Sequence, residues 1–161
     1  MKEGVYISLG TNLGNKSQNL QQAVSQMASL AVNDILCSKL YETSPWKMDS
    51  KNSFANQAAY FQTELDPHEL LTALQQIENN MGRPSERMEK QGYADRTIDL
   101  DIIYYGDHSI NTQDLTIPHP LMHKRTFVLE PLCEIAPNFM HPVLQLSNQS
   151  LLKQLIDTND R

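Results

Sequence analysis

Two carboxylates stand at i and i+2 in the run Arg96-Thr97-Ile98-Asp99-Leu100-Asp101-Ile102-Ile103-Tyr104-Tyr105, which otherwise reads as a buried strand. Side chains two apart on a strand leave the same face, with Cα atoms roughly 6.5 Å apart. Asp99 and Asp101 are therefore expected to point together, with Ile98, Leu100 and Ile102 turned the other way into a core. Two ionised carboxylates about 5 Å apart repel by roughly 3 kcal/mol at an effective dielectric of about 20. A cation removes that cost. Hard oxygen ligands with open positions suit Mg²⁺, which binds through one or two carboxylates plus substrate phosphates. The chemistry this spacing fits is phosphoryl transfer. The bare pair also fits an edge strand that shows its acids to water, so the surrounding residues decide.

Arg83, Arg87, Lys90 and Arg96 lie in or beside a long segment before this strand, interleaved with Glu86, Glu89 and Asp95. Arg83 and Arg96 sit where structured elements meet that segment. The planar guanidinium fork suits phosphate oxygens. His119 stands between Pro118 and Pro120, which restrict the backbone and hold the imidazole for phosphate contact or for packing. His119 and His123 are four apart, but no third ligand at a zinc spacing accompanies them. Trp46, Phe54 and Phe127 fit either a core or a stacking platform. The chain carries no GxxxxGK[ST] loop and no GxGxxG turn, so a nucleotide would not be held by a Gly-rich cradle.

These residues must be positioned by a fold that 161 residues can supply as one domain, 1–161, with one real core. Hydrophobic content of 40% with 20% charged residues marks a globular chain. A net charge of −6 argues against a general nucleic-acid or anionic-membrane binder, which would carry a basic face. No protein partner is indicated. Cys37 and Cys133 form no metal-spaced pair and read as free thiols of a reducing compartment. The start Met1-Lys2-Glu3-Gly4 does not read as a signal peptide, and no apolar stretch approaches a membrane span, so the cytoplasm is the expected location.

Val5 to Leu9 reads as a first strand, followed by the turn Gly10-Thr11-Asn12-Leu13-Gly14. Asn15 followed by Gln18 reads as a capping box that opens a helix from about Lys16 to Leu30. Asn33 to Glu42 reads as a second strand, Ser44 to Ser53 as a polar loop, and Phe54 to Leu65 as a third strand. Asp66-Pro67-His68-Glu69 opens a helix that Gly82 ends. Arg83 to Asp95 is irregular, and the Asp-x-Asp strand follows. Short strands near Ile110 and Leu115, a helix from Arg125 to Ile135 and a terminal helix from Ser150 to Asp157 complete the reading. The order predicts an α+β fold, a ferredoxin-like βαββαβ sandwich with additional C-terminal elements. The loops 44–53 and 83–95, polar and poor in apolar anchors, are expected to close over bound ligands.

Together, Gly10-Thr11-Asn12-Leu13-Gly14, Tyr41-Glu42-Thr43-Ser44-Pro45, Phe54-x-Asn56, Arg96-Thr97-Ile98-Asp99-Leu100-Asp101, Ile117-Pro118-His119-Pro120 and Arg125-x-Phe127-Val128-Leu129-x-Pro131-Leu132 resemble the 6-hydroxymethyl-7,8-dihydropterin pyrophosphokinases of folate biosynthesis. The resemblance covers residues 4 to 137, in order, and the Asp-x-Asp strand combined with Pro-His-Pro is its specific part. It implies ATP-dependent transfer of a pyrophosphoryl group to the pterin hydroxymethyl oxygen, with release of AMP. It implies two Mg²⁺ ions on Asp99 and Asp101, with Arg83 and Arg96 joining that pair in catalysis. It implies Glu78, Arg83, Arg96, Thr116, His119 and Arg125 as ATP contacts, and Thr43, Ser44, Trp46, Phe54, Asn56, Tyr93 and Phe127 as pterin contacts. Two departures stand out. The family's Trp-Gly-Pro-Arg before the strand is Gly92-Tyr93-Ala94-Asp95-Arg96 here, so Tyr93 stands in for the Trp. The tyrosine that faces the pterin in many members is Phe54, which keeps the stack and drops a hydroxyl. The rival readings are a non-catalytic ferredoxin-like binding module and a different Mg²⁺-dependent nucleotidyl or phosphoryl transferase.

Overall fold

Val5, Ile7 and Leu9 alternate with Tyr6 and Ser8, and this period of two builds β1 (Glu3–Thr11), the strand around which the sheet is laid. The computed structural model describes residues 2–43, 53–82 and 98–159. Asn15 caps α1 (Lys16–Met27) by accepting the Gln18 amide at 3.0 Å. The helix was expected to reach Leu30; it ends at Met27, and Ala28–Leu30 tighten into a 3-10 turn.

The predicted second strand is divided. It forms β2 (Leu36–Cys37) and β3 (Tyr41–Thr43), both paired antiparallel to β4 (Phe54–Thr63). The break falls near Ser38, whose hydroxyl, in place of a carbonyl, accepts the Ala58 amide at 3.0 Å. Gln57 Nε2 donates to the Ser38 carbonyl at 2.8 Å, so side chains replace ladder partners here. β4 ends two residues before the expected Leu65, because the Thr63 hydroxyl donates to the Leu30 carbonyl and accepts the Leu65 amide. Asp66 then opens α2 (Pro67–Asn80) with a full capping box to Glu69.

β5 (Asp99–Tyr105) pairs antiparallel with β1 and gives the sheet order β2-β4-β1-β5, with β3 also on β4. The chain continues through a small hairpin of β6 (Ile110–Asn111) and β7 (Thr116–Ile117). It then runs into α3 (Thr126–Ile135) and α4 (Asn148–Asn159). α4 begins two residues before the expected Ser150, with the Ser147 hydroxyl accepting the Ser150 amide at 3.1 Å.

Two apolar layers sandwich the sheet. On one face Val5, Ile7, Leu9, Phe61, Leu100 and Ile102 meet Leu20, Ala23 and Met27 of α1 and Leu70, Leu74 and Ile77 of α2. On the other, Ala58, Ile103 and Tyr104 meet Val128, Leu129 and Leu132 of α3 and Leu151 of α4. Strict alternation would not put both Ile103 and Tyr104 on one face. A bulge does: Tyr6 faces Tyr104 and Ile7 faces Ile102, which leaves Ile103 as the extra residue. The buried Tyr104 hydroxyl donates to Asn148 Oδ1 at 2.6 Å, and Asn148 Nδ2 donates to the Ala136 carbonyl at 2.9 Å. That buried chain ties α4 and the end of α3 to β5. Among the described residues no helix is long and apolar enough to cross a membrane.

Candidate functional site

The strand registers put the chemistry-bearing residues in two rows across three strands. Asn56 of β4 faces Gly10 of β1, which faces Asp99 of β5; Ala58 faces Ser8, which faces Asp101. Positions two apart share a face, so Phe54 and Asn56, Ser8 and Gly10, and Asp99 and Asp101 all rise from the α3 side of the sheet. α3 enters above them. Phe54, Asn56, Ser8, Gly10, Asp99, Asp101, Arg125 and Phe127 line one cavity of about 150 Å³. Its shape is a slot. Phe54 and Phe127 are large aromatics left 40% and 38% exposed. Asn56 is only 4% exposed, and its Nδ2 has no hydrogen-bond partner among the described residues. An orphaned buried donor costs about 1–3 kcal/mol, so this slot is shaped for a flat ligand carrying an acceptor at its edge.

β3 is held to α3 by its first residue. Tyr41 donates its hydroxyl to Glu134 Oε1 at 2.7 Å, and the Lys39 amide donates to Glu134 Oε2 at 3.1 Å. Burial, then the Glu134 hydrogen bond and charge, push the Tyr41 phenol up to about 12, so the phenol stays a donor. Thr43 pairs with Phe54 at the end of this ladder.

A second cavity lies on the other side of Asp101. Asp101 also lines it, with Leu71, Leu100, Ile102, Gln113, Asp114, Leu115, Thr116, His119 and Pro120. The backbone amide of His119 donates to the Ile103 carbonyl at 3.1 Å, which fastens the Pro-His-Pro segment to β5. Burial lowers the His119 imidazole below its ordinary value; Arg125 adds to the shift and Asp99 opposes it. The ring is neutral at pH 7. His119 Nδ1 accepts the Leu121 amide at 3.1 Å, so the proton stands on Nε2 as a donor. The Arg125 guanidinium lies 5.5 Å from the Phe127 ring centroid and caps the boundary between aromatic wall and carboxylates.

The fold thus brings together Asp99, Asp101, Phe54, Asn56, Phe127 and Arg125 in one cavity, and Thr116 and His119 with Asp101 in the next. Glu78 lines neither. It stands on α2, 4% exposed, and accepts the Leu100 amide at 2.8 Å. Ser44, Trp46, Arg83, Arg87, Lys90, Tyr93 and Arg96 lie outside the described residues. Ser8 was not foreseen. Its alternation with Ile7 and Leu9 is plain in the sequence, but its place beside Asp101 follows only from the long-range register of β1 on β5.

The two carboxylates present oxygen donors on one face beside cavities fit for ligand, which is the donor chemistry of a hard divalent cation that takes its remaining ligands from phosphate and water. Among the described residues no group of three or more His, Cys, Asp or Glu is arranged to hold a metal ion.

Residues 6–137 match the family model described as 7,8-dihydro-6-hydroxymethylpterin-pyrophosphokinase. The chain is 44% identical over 147 residues to the folic acid synthesis protein FOL1 of Dictyostelium discoideum, covering 91% of this chain and 22% of that protein. It thus spans about a fifth of that longer relative. It is 41% identical over 138 residues to the 2-amino-4-hydroxy-6-hydroxymethyldihydropteridine pyrophosphokinase of Bacillus subtilis, covering 84% of this chain and 79% of that one. The protein of the same name from Haemophilus influenzae is 39% identical over 153 residues, covering 94% and 92%. A solved HPPK-DHPS of Plasmodium falciparum superposes with a TM-score of 0.77 at 16% identity, over 100% of this chain and 45% of that one, and so shares the fold. With that coverage and identity, the chain belongs to the 7,8-dihydro-6-hydroxymethylpterin-pyrophosphokinase family.

Proposed function

We propose that residues 1–161 form one unit that catalyses ATP-dependent pyrophosphoryl transfer to the hydroxymethyl group of 6-hydroxymethyl-7,8-dihydropterin, releasing AMP, in folate biosynthesis in the cytosol. The observation that carries the reading is that Asp101 lines both cavities. One cavity is a slot with aromatic walls, Phe54 and Phe127, and an amide edge, Asn56, that suits a pterin. The other, with Thr116 and the Nε2–H of His119, suits the polyphosphate nucleotide. The order of strands and helices, with the sheet order β2-β4-β1-β5, supports the ferredoxin-like frame, to which α3 and α4 are additions.

Transfer joins the pterin hydroxymethyl oxygen to the β-phosphorus of ATP. The bond from that phosphorus to the oxygen bridging toward the α-phosphorus breaks, and AMP leaves with its electron pair; the alcohol proton goes to water. Phe54 and Phe127 hold the ring flat and Asn56 fixes its rotation, so the alcohol is carried to the Asp101 side of the slot. Most of the gain is positioning. Arg125 and His119 Nε2–H donate to phosphate oxygens as charge shifts to the leaving group. Asp99 and Asp101 would hold Mg²⁺, two ions in this reading, which supplies positive charge to the phosphate oxygens when bound. Arg83 and Arg96 are assigned to the same phosphates.

The test is product analysis. With ATP and Mg²⁺, AMP is expected only when the hydroxymethylpterin is added, in equal amount to the pyrophosphorylated pterin. Pterin-independent AMP, or ADP as product, would sink the reading. A second outcome concerns the stack. Phe54→Ala should weaken pterin binding by about three- to tenfold, the worth of an aromatic contact beyond its area. Affinity for a non-hydrolysable ATP analogue should not change. Equal losses for both ligands in calorimetry would move Phe54 out of the slot's function.

A further inference from the structure

Among the described residues β5 is an edge strand of the sheet, with β1 on one side only. Amides on the open side of such a strand need an acceptor other than a neighbouring strand. At Leu100 that acceptor is the Glu78 carboxylate, reaching across from α2 to take the amide at 2.8 Å in a buried setting. Leu100 is the residue between Asp99 and Asp101, so its peptide units carry the Cα atoms of both carboxylates. Glu78 itself is 4% exposed and lines neither ligand cavity.

We propose that Glu78 is a positioning residue: it fixes the β5 backbone at Leu100 and so sets the spacing and aim of the Asp99 and Asp101 carboxylates. This rests on the assignment of those carboxylates under the proposed function, and it differs from a direct nucleotide contact by Glu78. The geometry favours it because the side chain acts on the backbone at the one place where a shift moves both acids together. Leu100 packs in the core beneath them, so its side chain secures the opposite face while Glu78 secures the edge. Loosening only the edge lets the strand tilt at its start, where Asp99 is the first paired residue.

Two variants separate reach from charge. Glu78→Gln keeps an oxygen at the same reach and drops the charge. Glu78→Asp keeps the charge and is one methylene too short. Gln is expected to retain kcat within about threefold, whereas Asp is expected to lose about thirtyfold in kcat and to need about tenfold more Mg²⁺ for half-maximal rate. Pterin affinity should be unchanged in both, and hydrogen exchange at the Leu100 amide should speed up in Asp alone. Gln failing as badly as Asp would overturn the proposal by pointing to the charge. Asp losing pterin affinity in step with kcat would overturn it by pointing to general loosening. Weaker binding of ATP without metal in either variant would overturn it in favour of direct contact. Asp101→Ala run alongside reports on the underlying reading: normal Mg²⁺ dependence there would remove the carboxylate assignment itself, whatever Glu78 does.

Discussion

Asp101→Ala is expected to lower pyrophosphoryl transfer by about a thousandfold or more, with the chain still folded. Asp101 is half-buried at the wall that the two cavities share, so its loss reaches both at once. Asp99→Ala should follow with a similar collapse, since the two side chains rise from one face of β5 beside Ser8 and Gly10. Stability should not follow activity down. Asp99 and Asp101 belong to neither apolar layer, so the melting temperature without Mg²⁺ should hold. AMP release and scanning calorimetry on the same preparations check both. Turnover within tenfold of the parent at ordinary Mg²⁺ would end the assignment of this pair.

Asn56→Leu carries the second large effect, with opposite signs in affinity and stability. Asn56 Nδ2 is buried without a partner among the described residues. The free protein therefore bears the cost of a dehydrated donor, and a ligand acceptor relieves it. Leucine has nearly the same shape and no donor. Pterin affinity should fall by about ten- to a hundredfold, the worth of about 1.4–2.8 kcal/mol. The melting temperature of the free protein should be unchanged or higher. Titration calorimetry with the pterin and a melting curve decide it: lower stability with unchanged affinity would make Asn56 a structural residue of β4.

Elements with local signals were legible in the sequence. The helix start at Asp66 and the first strand need only near neighbours: Asp66 caps α2 as read, β1 forms but runs on through Gly10 and Thr11, which were read as turn, and the box read at Asn15 is a single cap on the Gln18 amide. What was not legible depends on distant partners. The break between β2 and β3 arises because the Ser38 hydroxyl is offered to Ala58, twenty residues on. The Ile103 bulge hides in Ile102-Ile103-Tyr104-Tyr105, an apolar run with no period to betray a change of face. The site divides in the same way. The resemblance assigned Phe54, Asn56 and Phe127 to one ligand and His119 and Thr116 to another, and the fold places them in adjoining cavities that share Asp101. Ser8 joins the slot only through register. Glu78, expected as an ATP contact, accepts the Leu100 amide of β5, a long-range contact that no motif encodes.

Gly10 forms bare floor in the slot, and a methyl there would stand 3.0 Å from Asn56 Oδ1. A flat molecule can lie against a sheet only where no side chain rises between it and the backbone. Ligand thickness is thus gauged by an atom that is absent, and the same missing atom leaves the Asn56 amide room to face its ligand. Any substitution at Gly10 would make the slot shallower and crowd that amide together. Escape from an inhibitor that fills the slot is therefore expensive by this route, because the methyl that excludes the inhibitor excludes any flat ligand of the slot as well, while the second cavity beyond Asp101 is left as it was.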